Sequence, residues 1–110
     1  SWPTRTAVVG STAYVAHGGG LSLVLVDADY RLTALADLDL PFAAVDVAVS
    51  GDTAYVVGAA PASLATVDVR DPSAPALVSV ESLKGDPTAV VATTEAVFVA
   101  TASGVERIVR

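Results

Sequence analysis

Thr-Ala-Tyr-Val-Ala at 12–16, Thr-Ala-Tyr-Val-Val at 53–57 and Ala-Val-Phe-Val-Ala at 96–100 decide the reading of this chain. The aromatic anchors Tyr14, Tyr55 and Phe98 stand 41 and then 43 residues apart. Each sits among small and β-branched residues, which fit a pleated strand. Working outward, the same order of short apolar runs recurs around each anchor. Ala7–Val9, Val45–Val49 and Ala89–Ala92 precede the anchors, and Leu21–Val26, Ser63–Val69 and Gly104–Val109 follow them. Leu32–Leu38 and Ala76–Leu83 close the first two units. With the anchor runs themselves, this predicts eleven strands. Turn residues bound them: Gly10-Ser11, Gly18-Gly19-Gly20, Ser50-Gly51-Asp52, Asp71-Pro72 and Gly85-Asp86-Pro87. The longest helical alternative, Leu32–Ala44, is interrupted by Asp37, Asp39 and Pro41.

A repeat of this length made of short strands is the signature of β-propeller blades. The expected architecture is all-β, a propeller segment of about two and three-quarter four-stranded antiparallel blades. Residues 1–44 form the first unit, 45–87 the second, and 88–110 a third that lacks its outer strand. Leu23-Val24-Leu25-Val26 is apolar at consecutive positions, as in a strand covered on both faces. The fourth strands mix Thr33, Asp37, Ser79 and Glu81 with leucines and valines, as a wetter outer edge would. Eleven short strands also permit a β-sandwich, and a β-solenoid is a further alternative, but the spacing favours the propeller. A closed propeller has about four to eight blades, so this count leaves apolar faces bare. Bare faces and edges drive association. The expectation is a part of a longer ring-forming chain, or a chain that assembles with copies of itself.

The bulk composition agrees. Hydrophobic residues make up 53% of the 110, and charged residues only 16%. Twelve acidic residues against six basic ones give a net charge of −6. Phosphate backbones and anionic membranes are recognised by clustered Lys and Arg, so neither nucleic acid nor a membrane surface is the expected partner. No apolar run approaches the length of a membrane helix. With no cysteine there is neither a disulfide framework nor a thiolate metal site. The absence of any Met reads as a processed, excised or engineered piece.

Few residues look chemical. His17-Gly18-Gly19-Gly20 matches the oxyanion-hole string of some lipases and esterases, but that chemistry needs a G-x-S-x-G elbow and a further histidine. His17 is the single histidine, so the string reads as a glycine-rich hairpin. Asp27 and Asp29 have the spacing of calcium ligands without the rest of a calcium loop. Asp46 lies inside an apolar first strand, where a propeller lines its channel, and needs water or a partner there. Its counterparts near that position are Val8 and Val90, so no ring of acids recurs. Trp2 stands outside the repeat and is a candidate for an interface with another chain. No catalytic set, metal site or cofactor is expected.

Leu23-Val24-Leu25-Val26-Asp27 and Ala65 through Pro75, with its Asp-Pro-Ser-Ala-Pro turn, are similar to the LVIVD repeat. Val45 through Val56 resembles the first hairpin of such a blade, and the chain also looks like the YVTN-type surface-protein repeat. The first unit departs from the pattern at Asp27-Ala28-Asp29-Tyr30, where the Asp-Pro turn is missing. The resemblance implies a propeller of bacterial or archaeal secreted or surface-attached proteins. It also implies a binding or scaffolding role without catalysis, toward further blades, copies of itself, or a protein or carbohydrate ligand. A fragment of a propeller enzyme and an engineered self-assembling unit are the alternatives.

Overall fold

The computed structural model describes residues 5–59 and 61–109, so Trp2 lies outside the described residues. Three antiparallel sheets follow one another along the chain. The first holds β1 (Arg5–Val9), β2 (Thr12–His17), β3 (Gly20–Val26) and β4 (Leu32–Asp39) in that order. The middle sheet holds β5 (Ala43–Ser50), β6 (Thr53–Ala59), β7 (Ser63–Asp68) and β8 (Ala76–Ser82). In the third, β10 (Ala96–Thr101) lies between β9 (Pro87–Ala92) and β11 (Gly104–Val109). All eleven expected strands are present, each end within two residues of its expected place, and no helix occurs among the described residues. The first strands run longer than expected because pairs such as Arg5 with Ala16 and Ala43 with Ala59 extend the ladders.

Each sheet is a simple meander whose tight turns use glycine where the backbone needs it. Gly10 and Gly51 occupy the same place in the β1–β2 and β5–β6 turns, with φ of 60° and 59°. That region penalises residues with a Cβ.

The register divides each sheet into two faces. Tyr14 lies opposite Ala7 and Leu23, so these share a face with Ala16 and Leu21. That face packs on Val47, Ala54, Val56, Ala65 and Val67 of the middle sheet. The other face of the middle sheet presents Tyr55, Val57 and Leu64 to Val90, Val97 and Val99 of the third. The first strands lie side by side, β5 beside β1 and β9 beside β5. The sheets therefore stack face to face in chain order.

Val56 and Val57 point to opposite faces of β6, and both are fully buried. Each such burial contributes about 1.5–3 kcal/mol, so the middle sheet draws on two interiors at once. The run Leu23–Val26 was expected to be covered on both sides. In fact Leu23 is buried while Val24, Leu25 and Val26 are half-buried. The first sheet has a neighbouring sheet on one face only among the described residues. The outer strands are wet as expected, with Leu32, Leu77, Val78 and Val80 all exposed.

Phe42, in the connection from β4 to β5, is buried against Gly58. A Cβ at Gly58 would fall inside hard contact with the Ala43 carbonyl oxygen and the Phe42 ring. The close approach of strand and ring is thus available to glycine alone.

Candidate functional site

Among the described residues, His17, Asp46 and the Asp27–Asp29 turn fall at separate places. His17 ends β2 and turns into the Gly18-Gly19 hairpin. Its Nδ1 accepts the Gly19 N–H at 3.1 Å. In the neutral ring Nε2 then carries the proton and donates it to Ser22 Oγ, 2.8 Å away. Ser22 in turn donates to Asp37 Oδ1 at 2.5 Å. The geometry follows from register: Ser22 lies opposite Val15 on one side and Asp37 on the other, and His17 is two residues from Val15. All three side chains therefore share the face of the first sheet that points away from the middle one.

The residue types are those of an acyl-transfer triad, but the order is wrong. A triad places histidine between serine and acid so that the imidazole takes the hydroxyl proton. Here serine is central, and its proton goes to the carboxylate. The imidazole does not accept the hydroxyl proton, so the trio is a hydrogen-bonded relay across three strands. Ser22 carried a signal that was passed over, a lone hydroxyl within Leu21–Val26. Asp37 was read only as a polar residue of the wetter fourth strand.

Asp27 caps the β3–β4 loop. Its Oδ1 accepts the N–H of Asp29 and of Arg31, both at 2.9 Å. The backbone closes around it, with Tyr30 N donating to the Asp27 carbonyl at 3.0 Å and Asp27 N to the Arg31 carbonyl at 3.1 Å. Asp29 meets Asp27 through its amide, so the two are joined as a turn. Among the described residues no three His, Asp or Glu side chains gather into a group that could hold a metal ion.

That loop displays Tyr30, which sequence reasoning missed. Tyr30 is 86% exposed and has φ of 61°. A bulky residue in that region costs about 1–2 kcal/mol and recovers nothing here by packing. The missed signal was an aromatic residue set in a turn between acidic Asp29 and basic Arg31.

Asp46 sits on β5 and reaches into the next sheet, where its Oδ2 accepts the Val90 N–H at 3.0 Å. A side chain thus supplies the acceptor for an amide of the third sheet's first strand, and ties β5 to β9.

A shallow groove of about 200 Å³ lies between the β8–β9 connection and the β10–β11 hairpin, lined by Lys84, Thr101, Ser103, Gly104, Val105 and Glu106. Its polar groups largely serve one another: Thr101 Oγ1 accepts from Ser103 N and donates to the Gly104 carbonyl. The remaining shifts in proton affinity also belong to turns and packing. The Arg70 guanidinium and amide hold Asp68 below the usual carboxylate range. Ser73 does the same for Asp71. Burial, and after it the Asp52 carboxylate, pushes the Tyr14 phenol up.

Compared with known families, residues 43–80 match the LVIVD repeat. The match covers the middle sheet from the start of β5 into β8. It bears out the LVIVD resemblance read from Val45–Val56 and Ala65–Pro75. A search of curated proteins found no match.

Proposed function

We propose, from an LVIVD repeat placed in the middle of a face-to-face stack of sheets, that the chain is a β-propeller segment that works by binding. On this reading it is a non-catalytic module of a secreted or surface-attached prokaryotic protein. It holds a protein or carbohydrate ligand while its sheets continue into further blades or copies of itself. The observation that carries the binding role is Tyr30. A backbone turn that holds an aromatic residue in an unfavourable conformation, with its ring in water, presents that ring for contact. Aromatic anchors of this kind dominate binding energy where they are covered. Arg31 and Asp29 flank it with both signs of charge, suited to polar contacts at the rim of such an anchor.

The test is to probe the full chain on glycan and surface-protein arrays beside a Tyr30→Ser variant. A panel of chromogenic ester, glycoside and phosphate substrates runs in parallel. Saturable binding to an arrayed ligand, weakened about tenfold or more in the variant, is the expected result. Turnover that disappears on replacing His17 by Ala would put the enzymatic reading in its place.

A further inference from the structure

The two outward faces of the stack carry the two halves of the joint that is repeated inside it. In the inner joints the Tyr14 face packs on Val47, Ala54 and Val56, and the Tyr55 face packs on Val90, Val97 and Val99. Phe98 is the third member of the aromatic series by register, lying opposite Val91 as Tyr14 lies opposite Ala7 and Tyr55 opposite Ala48. It points away from the Val97 and Val99 side, onto a face that no described residue covers. Val91 and Val105 on that face are 59% and 72% exposed. At the other end of the stack, Thr6, Ala13 and Val15 hold the places of Val47, Ala54 and Val56, on the face opposite Tyr14. Val8 beside them is 62% exposed. One outer face is therefore the donor half of the inner joint, and the other is the acceptor half.

Charge agrees with shape. Arg107, paired with Phe98 and exposed, puts a cation on the one face. Asp37 and Asp39 put acids on the other.

We propose that two copies of this chain associate head to tail, the Phe98 face of each closing on the Val15 face of the other. The inference rests on the propeller reading above. Each copy brings three sheets, so two copies hold six. That falls within the about four to eight blades of closed propellers, whereas one copy falls below it and three exceed it. Both joints are the same heterologous contact, and closure makes the pair twofold symmetric.

Sedimentation velocity of the full chain at micromolar concentration tests it. The expected species is twice the 11.0 kDa chain. Val8→Lys and Val105→Lys alter residues already in water, so both variants fold. Each alone raises the dimer dissociation constant about 100-fold or more. Mixed, they form a one-to-one pair through the single unaltered joint, because the Val8→Lys copy keeps its third sheet intact and the Val105→Lys copy keeps its first. A monomeric parent chain overturns the proposal, as does a dimer indifferent to both substitutions. A dimer sensitive to only one of the two substitutions overturns it too, by showing like faces in contact. Hydrogen exchange at β5–β7 separates the two layers of the argument. A monomer with those amides protected defeats the dimer alone, while unprotected amides defeat the stacked-blade reading beneath it.

Discussion

The same five-residue segment, written three times, has three different fates. In β6 every residue from Ala54 to Gly58 is buried. In β2 burial is interrupted at Val15, and in β10 at Phe98. Val15 points away from the middle sheet on one side of the stack, and Phe98 points away from it on the other. The local pattern is shared, so position in the stack alone decides which side chains are dry. Along a strand, consecutive burial marks a sheet with two neighbours, and a gap marks the side on which a neighbour is missing.

Position 58 gives the sharpest contrast. The first and third sheets carry His17 and Thr101 at that point, whereas the middle sheet has glycine with the Phe42 ring pressed onto it. Gly58→Val is expected to cost more than about 3 kcal/mol, because the obstructing groups include a backbone carbonyl that cannot turn aside. Urea unfolding measures this, and a near-neutral result would show that Phe42 does not sit there.

Next comes the valine of the anchor segment. Val56→Ala is expected to cost about 2–3 kcal/mol from lost transfer energy and cavity formation. The matching Val15→Ala, at protein concentrations where the chain is monomeric, should cost less than about 1 kcal/mol. Equal effects would abolish the distinction between middle and outer sheets.

The two inner joints also differ in one polar contact. Asp46 accepts the Val90 amide between the middle and third sheets, while the position opposite Ala16 in the first sheet holds Arg5. Asp46→Ala should cost about 1–2 kcal/mol and speed exchange of the Val90 amide, since a half-buried donor loses its acceptor. Asp46→Asn keeps an oxygen acceptor and should recover most of the loss. No change in Val90 exchange in either variant would remove this tie from the account.

The smallest effect is at the rim. Asp68 lies opposite Thr53 and pairs with Arg70 at 2.8 Å, whereas Leu25 takes that place opposite Thr12 in the first sheet. The folded-state affinity of Asp68 for protons is lowered by Arg70. Its contribution is thus present above the unfolded pKa and is lost as pH falls through the depressed folded value. Arg70→Ala should raise the Asp68 titration in an NMR experiment. Both groups are solvated, so the unfolding midpoint near neutral pH should not move.

The strands were legible because alternation and turn chemistry act over a few residues. The relay was not, because His17 and Ser22 meet Asp37 only through cross-strand register. A register shift after Leu23 in the β3–β4 ladder helps decide which residue faces which way. The likeness of Leu23–Asp27 to the LVIVD repeat was similarly local. In the folded sheets Asp68 matches Leu25, two places away from Asp27. The cause is the β2–β3 connection, which is shorter than the connection between β6 and β7.

By itself the amino-acid sequence determined that the chain makes strands, how many, and that they recur around anchors 41 and 43 residues apart. Those properties follow from backbone preference and turn residues, which need no distant partner. Only the tertiary structure decided which faces are dry, where Asp46 finds its amide, and that Tyr30 stands in water. Burial and cross-strand contact depend on what lies opposite, and no local segment carries that information.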